Sequence, residues 1–139
     1  MGTVQRAPRG PSGKTVHNSA VLLADGGIVA QVHKSLLPTY DVFDEARYFR
    51  PADPIEVVPM DWRGFRLGVT ICEDAWNDSD FWPDQLYDFD PAQHLVDQGV
   101  DLLLNLSASP FHLGKQGLRR QMLSTLSTGS GVPVVQCNL

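Results

Sequence analysis

Cys72 is the residue of this chain whose type and setting most favour chemistry. It directly follows the apolar stretch 65–71, which places it at the carboxyl end of a predicted strand, and Glu73 and Asp74 follow it. A cysteine on a tight turn after a strand can be held as a thiolate by backbone N–H groups and a nearby ammonium group, and the thiolate is the nucleophilic form. The alternative is structural, since free cysteines are among the most buried residue types.

Two other predicted strand ends carry polar groups. Lys34 follows the run 28–33, and the segment 105–109 reads Asn-Leu-Ser-Ala-Ser. Functional groups of open α/β sheets collect beyond the carboxyl ends of the strands, so Lys34 could bring an ammonium group to the thiol. The alternative for Lys34 is a solvated charge at the end of a strand.

The hydrophobic pattern predicts two β-hairpins followed by alternating strands and helices. The first hairpin pairs strands 19–24 and 28–33 around Asp25-Gly26-Gly27, and the second pairs strands 55–58 and 65–71 around a turn containing Asp61 and Gly64. Next come a helix over 91–98 with Asp90 as its N-cap, a buried strand over 100–106, a helix over 117–128 and a buried strand over 132–136. Because strands connected through helices pair in parallel, the pattern predicts an α/β fold with a mixed sheet, its hairpins followed by β-α-β-α-β.

The chain is long enough for one domain. Its 139 residues match the usual domain size. Residues 1–17 are rich in Gly and Pro and poor in apolar side chains, which predicts a flexible lead-in. The ordered domain is expected over 18–139.

The composition excludes several classes of protein. With 11 Lys and Arg against 16 Asp and Glu, the chain assembles no basic patch for nucleic acid or an anionic membrane. It has no apolar run of about 20 residues and no signal peptide, which predicts a cytoplasmic protein with two free thiols, Cys72 and Cys137. Neither the four histidines nor the aspartates of the acidic, aromatic segment 77–91 have the spacing of a metal site. That segment is expected to lie over the mouth of the site, where it could contact another subunit or domain.

Three segments in this order resemble the carbon–nitrogen hydrolase (nitrilase) superfamily, and specifically the glutaminase domain of glutamine-dependent NAD synthetases. Residues 34–49 are similar to the lysine motif of that family, and 68–76, Gly-Val-Thr-Ile-Cys-Glu-Asp-Ala-Trp, to its nucleophile motif. Residues 105–111, Asn-Leu-Ser-Ala-Ser-Pro-Phe, complete the set. The resemblance runs from about residue 18 to the last residue and implies part of an α-β-β-α sandwich.

The resemblance also implies roles for individual residues. Cys72 would be the nucleophile, and Lys34 would support the thiolate and the oxyanion of the tetrahedral intermediate. Tyr40 and Phe43 would form walls of a pocket for glutamine. Glu73 and Ser109 would hold its α-amino and α-carboxylate groups, and Lys115 would also bind that carboxylate. Glu45 would support Lys34. The alternatives are core packing for the aromatic residues and surface solvation for Glu73.

The same resemblance implies which partners the chain requires. Amide hydrolysis would need no cofactor. ATP and Mg²⁺ would belong to a separate synthetase domain, which would use the released ammonia. Full-length relatives are expected to form homo-oligomers. The family's general-base glutamate precedes the lysine motif, yet residues 1–33 contain no glutamate. We therefore expect an internal fragment with little activity of its own. Two further hypotheses stay open, a stand-alone amidase of the nitrilase family and an inactive interaction module.

Overall fold

The computed structural model describes residues 1–8, 13–110 and 112–139. Its strands are β1 (Gly2–Arg6), β2 (Val16–Ala24), β3 (Gly27–His33), β4 (Met60–Trp62), β5 (Phe65–Ile71), β6 (Leu102–Ser107) and β7 (Val134–Asn138). The helices are α1 (Glu45–Tyr48), α2 (Pro91–Asp97) and α3 (Lys115–Ser130), with 3₁₀ turns at Pro54–Glu56 and Cys72–Ala75. No helix in the described ranges is long and apolar enough to cross a membrane.

The strands form two sheets. The first is antiparallel in the order β1-β2-β3, and the second has the order β4-β5-β6-β7. In the second sheet β4 runs antiparallel to β5, whereas β5, β6 and β7 are parallel neighbours. The predicted hairpin of β2 and β3, the parallel strands and the mixed sheet are therefore confirmed.

The sheets pack face to face, and helices cover the far side of the second one. The cluster between the sheets contains Ala20 and Val32 from the first and Met60, Leu67 and Ile71 from the second. On the other face of the second sheet, Leu95 of α2 and Leu126 of α3 pack in one cluster with Leu103 of β6. The described residues thus supply a helix layer and two sheet layers of a sandwich.

The start of the chain differs from the prediction. Residues 2–6 are not a flexible loop but the strand β1, which pairs with β2 from Gly2↔Ala20 to Arg6↔Val16. β2 also begins at Val16, inside the expected lead-in, of which residues 9–12 lie outside the described part. A short, polar edge strand leaves no clear hydrophobic pattern, because its stability comes from the ladder of hydrogen bonds to its neighbour.

The second predicted hairpin is correct in kind but wrong in its first strand. Pro54–Glu56 form a 3₁₀ turn capped by Asp53, whose side chain accepts a hydrogen bond from Ile55 N at 3.2 Å. The strand itself is β4, so Asp61 lies within it, and the turn consists of Arg63 and Gly64, with φ of 51° and 85°. A two-residue hairpin turn with both φ values positive matches the twist of its strands, which explains the glycine.

The last strand is also less buried than predicted. β7 begins two residues later than expected, at Val134, and Val135 is 54% exposed. Val135 pairs in register with Leu104, which is in contact with the cluster between the sheets. Among the described residues, none from β7 belongs to the cluster between the sheets, so the apolar pattern overstated the burial of this edge strand.

Candidate active site

The turn after β5 presents Cys72 in an uncommon backbone conformation. Cys72 has φ of 50°, the left-handed region that residues with a Cβ rarely adopt, and it starts the 3₁₀ turn. Its carbonyl oxygen accepts a hydrogen bond from Asn105 Nδ2 at 3.3 Å. Such strain persists only where surrounding contacts hold it, and it is frequent in active sites.

Asp74 fastens this turn to the segment that follows Lys34. Its Oδ2 accepts a hydrogen bond from Ile71 N at 3.0 Å, and its Oδ1 accepts from Ser35 N at 3.0 Å and Leu36 N at 2.8 Å. Complete burial raises the pKa of Asp74 to about 6, although these N–H donors and the charge of Lys34 lower it. Two segments almost 40 residues apart in sequence are thereby joined through one carboxyl group.

Lys34 is a buried cation with a carboxylate partner. The residue is 1% exposed, and its Nζ lies 2.6 Å from Glu45 Oε1. The other oxygen, Glu45 Oε2, accepts a hydrogen bond from Asn18 Nδ2 at 3.4 Å. The alternative of a solvated strand-end lysine is therefore wrong, while the catalytic roles of Lys34 and Glu45 stay predictions.

Six of the eight residues named from the sequence line one cavity of about 270 Å³. They are Tyr40, Phe43, Cys72, Glu73, Ser109 and Lys115; the remainder of the lining is Asp41, Trp76, His112 and Leu118. Lys34 and Glu45 lie outside this lining. Aromatic walls and a few polar groups around a partly buried thiol are the features of a small-molecule site.

The polar groups of the cavity carry opposite charges. Glu73 is 5% exposed, and its Oε1 accepts hydrogen bonds from the hydroxyl groups of Tyr40 at 2.6 Å and Tyr87 at 3.3 Å. Surface solvation of Glu73 is therefore excluded. Lys115 places its Nζ 5.6 Å from the ring centroid of Trp76. A carboxylate and an ammonium in one cavity suit a ligand that carries both an ammonium and a carboxylate group.

Burial raises the pKa of both tyrosine hydroxyls beside Glu73. The pKa of Tyr40 is raised further by its hydrogen bond to Glu73 and by the charge of that carboxylate. The same two causes raise the pKa of Tyr87, where the charge has the larger effect. Both phenols therefore stay protonated at neutral pH and remain hydrogen-bond donors.

Sequence reasoning gave no role to several residues that hold the site together. Besides Asp74, Asn105 in β6 donates to Thr70 Oγ1 at 2.9 Å and accepts from Gln136 Nε2 at 3.1 Å, which links the ends of three parallel strands. An asparagine within an apolar strand was a usable signal, because a buried amide must find partners. Tyr87 had no such signal, since it lies in the irregular segment between Cys72 and α2.

Two remaining sequence observations concern metals and Phe111. Among the described residues, no group of three or more His, Cys, Asp or Glu side chains could hold a metal ion. Phe111, the last residue of the third motif, lies outside the described part of the chain.

Relatives that share one name match most of this chain. It is 47% identical over 125 residues to glutamine-dependent NAD(+) synthetase of Synechocystis, covering 90% of this chain and 22% of that protein. The corresponding enzyme of Thermotoga maritima is 39% identical over 129 residues, covering 92% and 20%. The chain therefore spans about a fifth of the length of the relatives it matches. No protein-family profile matches the chain.

Solved structures of NAD+ synthetases and carbon–nitrogen hydrolases are also similar to this chain. Glutamine-dependent NAD+ synthetase of Acinetobacter baumannii superposes with a TM-score of 0.80 at 31% identity, over 99% of this chain and 23% of that one. A carbon–nitrogen hydrolase of Helicobacter pylori superposes with a TM-score of 0.67 at 22% identity over 99% and 46%, which shows the fold alone. The chain is homologous to one segment of the glutamine-dependent NAD(+) synthetases, and it has the carbon–nitrogen hydrolase fold.

Proposed function

We propose that this chain supplies the glutamine-hydrolysing site of an NAD(+) synthetase. The observation that carries the proposal is the cavity in which the Cys72 thiol shares a lining with the Glu73 carboxylate and the Lys115 ammonium group. Glutamine carries an α-ammonium and an α-carboxylate group that these two charges would bind, with its side-chain amide directed to the thiol. The names of the relatives, which are glutamine-dependent enzymes, support the same substrate.

The proposed reaction uses Cys72 as a nucleophile. Its thiolate attacks the carbon of the side-chain amide, and the resulting oxyanion is stabilised by backbone N–H groups of the nucleophile turn and by the positive charge of Lys34. The amide nitrogen takes up a proton and leaves as ammonia, so a thioester remains on Cys72. Water then attacks the thioester, which releases glutamate and returns the thiol.

The fate of the ammonia is part of the proposal. It would be consumed by a synthetase domain that makes NAD(+) from its deamido form, and that domain would require ATP and Mg²⁺. The hydrolysis itself would need no cofactor. We propose that the partners are glutamine, the synthetase domain and further copies of the full-length enzyme.

Covalent labelling with 6-diazo-5-oxo-norleucine, a reactive mimic of glutamine, tests the site directly. We expect one label per chain on Cys72 and none on Cys137, located by intact mass and peptide mapping. Cys137 is the internal control, because it is also a free thiol and is exposed. Excess glutamine should protect Cys72. Equal labelling of both cysteines, or no protection by glutamine, would contradict a glutamine site.

A further inference from the structure

Asn77 ties the start of the segment that follows the nucleophile turn to the end of that segment, through hydrogen bonds to the backbone of Tyr87 and Phe89. Its Nδ2 donates hydrogen bonds to Tyr87 O at 2.8 Å and to Phe89 O at 2.9 Å, and its Oδ1 accepts from Tyr87 N at 3.3 Å. The Gln85 side chain adds a bond to Asn77 O at 2.8 Å. Asn77 is 2% exposed, so one buried amide fixes the backbone of Tyr87 on both sides.

This closure brings the Tyr87 hydroxyl to the carboxylate of Glu73. Tyr87 and Tyr40 donate to the same atom, Glu73 Oε1, although they come from opposite sides of Cys72 in the sequence. Among the described residues, no hydrogen bond is made to Glu73 Oε2. The carboxylate is therefore held through one oxygen, and the other oxygen keeps its capacity to accept a bond.

Two phenol donors on one oxygen hold the Glu73 carboxyl group in a fixed orientation. They restrict its rotation, so a ligand that binds Oε2 does not have to order it. A carboxylate oxygen forms its strongest hydrogen bonds with positively charged donors, so this fixed acceptor favours a ligand with an ammonium group.

We propose that Tyr87 is a positioning residue that orients the Glu73 carboxylate to select ligands carrying an ammonium group. The inference rests on the proposed glutaminase function and deepens it. It also gives a use to the acidic, aromatic segment 77–91, for which the sequence predicted a surface position over the site and a contact with another subunit or domain. Tyr87 acts through Glu73 and not on the reacting atoms.

The test compares two diazo ketones that differ only in the α-amino group. The probes are 6-diazo-5-oxo-norleucine and 6-diazo-5-oxohexanoate, and the measurement is the rate of Cys72 labelling against concentration, with iodoacetamide as a reagent that reads thiol reactivity alone. The variants are Tyr87→Phe, which removes one oxygen atom, and the control Tyr48→Phe, which changes an exposed tyrosine of α1. All measurements use the full 139-residue chain.

We expect Tyr87→Phe to weaken binding of the amino-bearing probe about 10- to 100-fold, as for loss of one charge-assisted hydrogen bond. Labelling by 6-diazo-5-oxohexanoate and by iodoacetamide should change less than about twofold, and Tyr48→Phe should match the wild type. If the wild type does not prefer the amino-bearing probe, the proposed function and this inference both fail. If the wild type prefers it and Tyr87→Phe keeps that preference, the inference alone is wrong. Equal slowing of all three reagents in Tyr87→Phe would also overturn it, because the variant would then act on the thiol or on folding.

Discussion

Buried charge is the property of single residues that most constrains this site. Lys34, Glu73 and Asp74 are each at most 5% exposed, and each has a hydrogen-bonding partner. Removing a charge from water costs several kcal/mol, and this cost is tolerated only where partners compensate it. We therefore expect large losses of stability from substitutions of the hydrogen-bonding partners as well as of the charged residues themselves.

Glu45→Gln tests the compensation of Lys34. The substitution removes the carboxylate charge that lies 2.6 Å from the buried Nζ, so we expect a loss of about 3 kcal/mol in the free energy of unfolding. Urea denaturation measures it. Asp44→Asn is the matched control, since the neighbouring Asp44–Arg47 pair is exposed and 3.7 Å apart, and it should cost less than about 1 kcal/mol. Equal losses in the two variants would show that the Lys34 pair contributes no more than a surface pair.

Asp74→Asn tests the titration of a buried acid. The pKa of Asp74 is about 6 in the folded chain and 3.8 ordinarily, so between these values the folded state holds a proton that the unfolded state has released. Stability contributed by this group is therefore lost as the pH rises from about 4 to about 6, by about 3 kcal/mol in all. The wild type should lose that much relative to Asp74→Asn between pH 4 and pH 7 in urea denaturation. A difference between the two proteins that is independent of pH would show that the pKa of Asp74 is not raised.

Close packing of β5 against α2 and β6 positions the nucleophile turn at the scale of elements. Gly68 lies in β5 four residues before Cys72, and a Cβ there would come within 2.6 Å of Leu103 Cδ2 and 3.4 Å of Leu95 Cβ. Both leucines are almost fully buried. Because Gly68 has no side chain, β5 can lie close to β6 and α2; a Cβ at this position would prevent that approach.

Gly68→Ala should destabilise the chain by about 1–3 kcal/mol, because the added methyl group overpacks the core. Slower labelling of Cys72 by 6-diazo-5-oxo-norleucine should accompany the loss, since the turn begins at the end of the same strand. Gly117→Ala is the control in α3, where a Cβ meets no atom within 4 Å, and it should stabilise by up to about 1 kcal/mol. Thermal unfolding gives both values. A neutral Gly68→Ala would mean that Leu103 moves aside at no cost.

At the scale of the whole molecule, we propose that the general base of the hydrolysis comes from outside these 139 residues. Residues 1–33 contain no glutamate, and Glu45 is engaged with Lys34. General acid–base catalysis contributes about 10²- to 10⁴-fold to such reactions. Under this proposal, binding of glutamine and its hydrolysis would depend on different parts of the protein.

We accordingly expect the 139-residue chain to release ammonia from glutamine at least about 100-fold more slowly than a full-length relative, while Cys72 is still labelled by the glutamine mimic. An assay of ammonia with glutamate dehydrogenase measures the rate, with Cys72→Ser as the background control. A rate equal to that of the relative, abolished by Cys72→Ser, would contradict the expectation and would require another base within this chain.

The sequence by itself determined which strand ends carry the candidate site residues. Hydrophobic runs ending at Lys34 and Cys72 located both residues, since an apolar run and its polar end are local properties of the chain. The three motifs resemble the NAD(+) synthetases, and the comparisons then showed that the chain is homologous to one segment of those proteins. Pattern reasoning failed at β1 and at the exposed β7, because the pairing of β1 with β2 and the absence of β7 from the described cluster between the sheets depend on distant segments.

Only the tertiary structure decided how the charged groups of the site are held. Asp74 reaches Ser35 and Leu36 across almost 40 residues, and Tyr87 reaches Glu73 only after Asn77 has closed the intervening segment. Contacts of this kind arise when distant segments pack, and burial then makes each one obligatory, since an unpaired charge or N–H group away from water is costly. A sequence shows that a residue is polar; the fold decides which partner compensates it.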